Sequence, residues 1–151
     1  MENEFVTYQQ ALALKELGFD EPCFGYYVDG GLRGVNLGIE ELGGVKPYYE
    51  RFGFHTINNH HIDNKNKIVV SSPLYQQAFR WFRENYSLQH HIWIGEITTL
   101  FYGYNILDTK THVFLFIVNN IELGGGDCDY PTYEEAESAC IDKLIEIVKK
   151  Q

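Results

Sequence analysis

Apolar and polar positions along the chain follow two different periods, which predict a mixture of helices and strands. From Pro73 to about Tyr86 the apolar side chains recur every three or four positions, as on one face of an amphipathic helix. From Phe101 to Ile106 the pattern alternates residue by residue, which is typical of a strand with one buried face. We therefore expect an antiparallel sheet whose apolar face is covered by helices.

Three segments begin with nearly the same letters and carry signals for the start of a helix. They read YQQA from Tyr8, YQQA from Tyr75 and YEEA from Tyr133. Thr7 and Thr132 precede the first and third with the spacing of a capping box. Ser72-Pro73 precedes the second and offers a hydroxyl cap followed by proline at the first helical position. Because the sequences diverge after the alanine, we favour convergent capping over an internal repeat.

The three predicted helices end at about Leu17, Tyr86 and Lys149, and Gly18 is the expected stop of the first. The predicted buried stripe of the second helix comprises Tyr75, Ala78, Phe79, Phe82 and Tyr86. That of the third, which starts at Thr132, comprises Ala136, Cys140, Ile141, Leu144, Ile145, Ile147 and Val148. We interpret Glu134, Glu135 and Glu137 as complements of the positive end of the helix dipole rather than as a general acid and base.

Strand signals lie between the second and third helices and again near the N-terminus. The segments rich in β-branched and aromatic residues are His91 to Ile94, Ile97 to Leu107, His112 to Ile121 and, earlier, Pro22 to Val28. Asp108-Thr109-Lys110 is turn chemistry for a hairpin. These features predict an α+β fold in which an antiparallel β-meander packs against about three helices.

We expect one compact domain over residues 1–151, because the chain is the size of one ordinary domain. The frequent glycines of residues 29–53 indicate turns and short strands rather than a long helix. Residues 40–68 have no assignment and are either a long loop or short strands.

Composition narrows the classes of function and of compartment. The formal charge of −9 disfavours general nucleic-acid binding, which needs clustered Lys and Arg. Three widely spaced cysteines without a CxxC pair fit a reducing compartment. The first residues, MENEFVTYQQ, lack the features of a secretion signal, and no apolar run approaches the roughly 20 residues that span a bilayer. We therefore expect a cytoplasmic protein without a membrane segment.

The segment FHTINNHHIDNKN suggests a metal site built from His60, His61 and Asp63. Its spacing matches neither HExxH nor a cysteine-pair motif, so we favour a polar loop over a metal site. His90-His91 and Asp127-Cys128-Asp129 would complete such a site if the fold brought them together. The sequence identifies no cofactor motif.

Two further features of the sequence are poor candidates for catalysis or ligand binding. Cys140 lies on a predicted buried stripe and behaves as a small hydrophobic residue, while the aspartates beside Cys128 disfavour its thiolate. The loop LGGGDCDY, from Leu123 to Tyr130, precedes a helix but lacks a phosphate-binding motif, which favours a flexible connection over a ligand site.

The 23 aromatic residues exceed what a core of this size needs, so we expect some of them to serve binding. Trp93, Tyr102 and Tyr104 are the candidates for contact with a ligand or a partner. On a strand, Tyr102 and Tyr104 share one face, and Phe101, Gly103 and Asn105 share the other.

Three blocks of the sequence are distinctive as an ordered set, namely VTYQQALALKELGFDEPCFGYY, PLYQQAFRWFRENY and TYEEAESACIDKLIEIVKK, together about 55 of 151 residues. They resemble a family of small proteins encoded by tailed phages and prophages of Bacteroides-type bacteria. The resemblance implies a protein that works in the cytoplasm of a bacterial host, as an accessory or counter-defence factor. It implies no activity, and His60, His61 and Asp63 lie outside the blocks.

The sequence thus favours a non-enzymatic binding or interaction protein whose partner is a second copy of itself or a host protein. The alternative is a protein that binds a small molecule, such as a nucleotide signal, or a metal-assisted hydrolase that uses His60, His61 and Asp63.

Overall fold

The computed structural model describes residues 2–34, 69–96, 100–117 and 130–151. Within them it has three α-helices and two antiparallel three-stranded sheets, which confirms the α+β class. The chain divides into two compact units, Met1–Leu74 and Tyr75–Gln151, which we describe separately. The expectation of one domain over residues 1–151 stays a prediction.

The first unit combines one helix with a small sheet. It contains a 3-10 turn at Glu2–Glu4, helix α1 at Tyr8–Glu16 and strands β1 at Gly25–Val28, β2 at Gly31–Gly34 and β3 at Val70–Ser72. The strand order is β2-β1-β3, and both pairings are antiparallel. Asp29 and Gly30 form the two-residue turn between β1 and β2 with positive φ at both positions, as a type I′ hairpin requires.

Helix α1 has the predicted caps at both ends. The Thr7 hydroxyl accepts a hydrogen bond from the Gln10 backbone N–H at 3.3 Å, and the Gln10 side chain accepts one from the Thr7 N–H at 3.0 Å. The helix ends where predicted, because Gly18 takes a φ of 91° that other residues rarely adopt.

The second predicted helix start was wrong by two residues, since helix α2 begins at Tyr75 rather than at Pro73. Phe5 forms an antiparallel bridge with Leu74, and the Val6 N–H donates to the Pro73 carbonyl at 3.0 Å. These pairings hold residues 73–74 in an extended conformation, so the helix starts after them.

The second unit contains the predicted meander and two helices. Its elements are α2 at Tyr75–Tyr86, β4 at Leu88–Glu96, β5 at Leu100–Asp108, β6 at Val113–Ile117 and α3 at Tyr133–Lys149. The strand order is β4-β5-β6. The Asp108 carboxylate accepts hydrogen bonds from the Lys110 and Thr111 N–H groups, which confirms the predicted turn.

Helices α2 and α3 pack against each other and against the meander. Their predicted stripes are confirmed, with Tyr86 and Ile147 half-buried at the margins and the other members buried. Leu88 and Ile106 lie beneath the helices and are almost completely buried. Glu137 is buried as well, which its interpretation as a complement of the helix dipole did not anticipate.

The N-cap of α1 allows the contribution of one helix cap to the stability of the first unit to be measured. Replacing Thr7 with Ala removes the hydroxyl that accepts the Gln10 N–H, so we expect the free energy of unfolding to fall by about 1 kcal/mol. Chemical denaturation followed by circular dichroism measures this loss. Thr7→Ser keeps the hydroxyl and is the matched control, which should stay within a few tenths of a kcal/mol of the parent. Equal losses in both variants would contradict this role of the hydroxyl.

Candidate functional site

The register of β4 and β5 assigns their side chains to two faces of the meander. The paired residues run from Leu88 opposite Asp108 to Glu96 opposite Leu100. Even-numbered positions, such as Leu88 and Ile106, face the helices, and odd-numbered positions face the other way. Tyr102 and Tyr104 therefore share the helix side, as predicted.

Trp93 lies on the opposite face, so the structure does not bring the three predicted aromatic site residues together. Tyr104 is buried on the helix side, and Tyr102 and Trp93 are half-buried. The meander therefore has two separate candidate surfaces rather than one.

We call the side of the meander turned away from the helices the outer face. Its described positions are Gln89, His91, Trp93, Gly95, Phe101, Gly103, Asn105, Leu107 and, opposite Leu107 on β6, Phe114. Within the described strands this face carries no Asp, Glu, Lys or Arg. Phe114 is 52% exposed, and Trp93 and Phe101 are half-buried. The outer face is therefore apolar with neutral polar groups, on a chain whose formal charge is −9.

Two aromatic rings of the outer face each lie over a glycine on the opposite strand. Trp93 is paired with Gly103, and a Cβ built on Gly103 would lie 2.4 Å from the Trp93 ring. Phe101 is paired with Gly95, where a Cβ would lie 2.4 Å from the Phe101 ring. The absence of both Cβ atoms is what lets the rings approach the backbone so closely.

Further contacts orient the Trp93 ring. Its Nε1–H donates to the Asn105 Oδ1 at 3.4 Å, and its ring meets Phe101 edge to face with centroids 5.7 Å apart. Contacts with Gly103, Asn105 and Phe101 therefore fix the position of the Trp93 ring on the outer face.

On the helix side, tyrosines cluster at the N-terminal end of α3. Tyr130 forms an isolated antiparallel bridge with Tyr102, with backbone hydrogen bonds of 2.8 and 3.0 Å. The Tyr102 ring meets Tyr133 edge to face at 6.0 Å, and the Tyr104 ring stacks with Tyr130 at 6.0 Å. This bridge places the start of α3 beside the middle of β5.

Glu137 lies in α3, one turn after Tyr133 of this cluster, and is only 7% exposed. It accepts a hydrogen bond from the Gln76 side chain at 2.9 Å, and Gln76 lies in the first turn of α2, at the positive end of that helix. Burial, the charge of Glu137 and a hydrogen bond with Glu137 raise the pKa of Tyr133. The hydrogen bond from Gln76 offsets part of the cost of burying Glu137, and it joins the two helices at this end of the unit.

The predicted pairing of His90 with His91 in one metal site does not fit the strand geometry. The His90 ring stacks on Phe79 of α2, with centroids 3.6 Å apart and planes 12° apart, whereas His91 lies on the outer face and is exposed. Burial, followed by the charges of Arg83 and His91, lowers the pKa of His90 to about 4. The two rings therefore point to opposite sides of the sheet.

Of the predicted metal site, His60, His61 and Asp63 lie outside the described residues, as do Asp127, Cys128 and Asp129. Among the residues that the structure does describe, no group of three or more His, Cys, Asp or Glu side chains is arranged to hold a metal ion. Cys140 is completely buried, as predicted, and burial raises the pKa of its thiol.

Sequence reasoning did not single out Phe101, Phe114 or the pair formed by Gln76 and Glu137 as parts of these surfaces. Phe101 had a usable signal. When an aromatic residue stands two positions before a glycine on each of two adjacent strands, each ring can lie over the glycine of the other strand. The hydrogen bond between Gln76 and Glu137 had none, since it joins residues that are 61 positions apart.

Helices in the described part of the chain are all too short or too polar to cross a membrane. Comparison with protein-family models, with curated proteins and with solved structures finds no match for this chain.

The pairing of Trp93 with Gly103 predicts a coupled pair of substitutions. Gly103→Ala forces the new methyl group against the Trp93 ring, so we expect it to lower the free energy of unfolding by about 1–3 kcal/mol. In a Trp93→Leu background the same change should cost less, because the ring is gone. Denaturant titration of all four proteins measures the coupling. Strict additivity would show that the ring and the glycine do not constrain each other.

Stability should depend on pH through His90. Its pKa is about 4 in the folded protein and 6.5 for a freely solvated histidine side chain, so the unfolded chain binds a proton first as the pH falls. The contribution of neutral His90 to the free energy of unfolding is complete above about pH 6.5 and is lost between pH 6.5 and 4. Because the side chain is partly exposed, we expect this loss to be about 1–2 kcal/mol.

The variant His90→Phe keeps the stacked ring and should flatten this part of the profile of unfolding free energy against pH. His112→Asn, a change in the exposed turn after β5, is the control and should keep the parental profile. The assignment to His90 is wrong if His90→Phe retains the full pH dependence.

Proposed function

We propose that the protein is a non-enzymatic binding protein that associates with a second copy of itself through the outer face of the meander. The observation that carries this proposal is a face whose described positions hold no Asp, Glu, Lys or Arg, with Trp93 and Phe101 towards one end and Phe114 towards the other. It works in the cytoplasm of a bacterial host as an accessory protein of a phage or prophage, a setting supported by the three sequence blocks quoted above.

Charge is the reason to choose a second copy as the occupant. The chain has 21 acidic and 12 basic residues, so two copies repel each other unless they meet where carboxylates are few. The described outer face has no acidic or basic side chain apart from His91. A twofold axis would place the same patch on both sides of the contact, which an uncharged patch tolerates.

The residues of the outer face also have the character of binding anchors. Trp93 and Phe101 are large, half-buried and held by their contacts with each other, with glycine backbone and with Asn105. Aromatic anchors that are already ordered contribute strongly to association, because little side-chain entropy is lost on binding. On β6, Phe114 adds an exposed aromatic side chain to the same face.

Analytical ultracentrifugation of the purified protein tests the proposal. We expect a monomer–dimer equilibrium that Phe114→Ser weakens by about tenfold or more, because an anchor side chain is removed. Phe24→Ser is the matched control, since Phe24 belongs to the first unit and is 54% exposed against 52% for Phe114. It should leave the equilibrium unchanged.

Two outcomes would overturn the proposal. One is a monomer at every concentration accessible to the measurement. The other is an equal effect of Phe114→Ser and Phe24→Ser, which would indicate general stickiness of exposed phenylalanines rather than a defined face. Thermal unfolding of both variants checks that each retains its fold.

A further inference from the structure

A second apolar surface lies on the helix side of the meander, beyond the part that the helices cover. Ile94 and Leu100 are 57% and 61% exposed, and both occupy even-numbered positions at the end of the hairpin between β4 and β5. Ile94 is paired with Tyr102, whose ring contacts Tyr133 of α3. These four residues and Glu134, which follows Tyr133, form what we call the acidic patch.

The acidic patch differs from the outer face in its charge. Glu134 and Glu135 are exposed in the first turn of α3, and the buried Glu137 lies one turn further on. Within the described part of the chain, neither Glu134 nor Glu135 forms an ion pair. The positive end of a helix is equivalent to about half an elementary charge, so it cannot neutralise the two exposed glutamates. The first turn of α3, next to the exposed Tyr133, is therefore anionic.

The geometry points to the acidic patch as a docking surface for a basic segment of another protein, one that carries aliphatic side chains together with arginine. Aliphatic groups of the segment would cover Ile94 and Leu100. Its guanidinium groups would stack on the rings of Tyr102 and Tyr133 and pair with Glu134. This inference goes beyond the proposed self-association, because it uses the opposite side of the sheet.

Charge also decides against other occupants of this surface. A second copy of the chain brings a formal charge of −9 and would be repelled by the glutamates. Nucleic acids and anionic lipid surfaces present phosphates, which the same glutamates repel. A cationic polypeptide is the macromolecule that complements the acidic patch in both its apolar and its charged parts.

Two synthetic peptides test the inference. The first alternates leucine with arginine, and the second replaces every arginine with citrulline, which has nearly the same shape but no charge. Binding is measured by fluorescence anisotropy of the labelled peptide at low and at high salt. We expect the arginine peptide to bind more tightly than the citrulline peptide, with an affinity that falls as salt is added.

Substitutions test whether the peptide binds at the acidic patch or is attracted only by the overall negative charge of the protein. Leu100→Ser should weaken binding of the arginine peptide by about tenfold, because it removes an exposed aliphatic anchor. Glu134→Gln should weaken it by about threefold. Glu84→Gln removes the same charge from an exposed position on α2 and is the matched control, which should change the affinity by less than about twofold.

Equal binding of the two peptides would overturn the inference, and so would equal effects of Glu134→Gln and Glu84→Gln. The peptide-binding measurement is repeated with the Phe114→Ser variant, so that peptide binding is measured without self-association. Loss of the dimer with retained peptide binding would count against the proposed function alone. A retained dimer without patch-dependent peptide binding would count against the acidic patch alone.

Discussion

The pairing of β4 with β5 is the constraint on which the second unit depends. Nine residue pairs in one register direct Leu88 and Ile106 into the core and Trp93 and Phe101 to the outer face. A slip by one residue would exchange the two faces along the whole slipped strand. The two aromatic rings oppose such a slip, because each fits only over a position without a Cβ atom.

The same register separates two kinds of surface on one thin sheet. The outer face is uncharged in its described part, whereas the end of the helix side lies beside the glutamates of α3. We propose that the first surface meets a like-charged copy of the chain and the second a basic partner. Beneath the second surface, Gln76 in the first turn of α2 donates a hydrogen bond to the buried Glu137.

Local features of the structure were largely predictable from the sequence. The cap at Thr7, the stop at Gly18 and the turn at Asp108 each depend on residues within four positions of one another. The helical stripes followed from periodicity alone. The start of α2 could not be predicted, because the bridge between Phe5 and Leu74 joins residues 69 positions apart and overrides the signal of Pro73. Residues 40–68, with His60, His61 and Asp63, lie outside the described residues.

The sequence by itself determined the fold class, the buried stripes of α2 and α3 and the sharing of one face by Tyr102 and Tyr104, because these follow from backbone periodicity. Only the tertiary structure decided that Trp93 lies on the other face, that it rests on Gly103, and that Glu137 is buried beside Gln76. Those features depend on which elements become neighbours. Neighbourhood is set by the burial of whole faces and by strand register, which no short stretch of sequence contains.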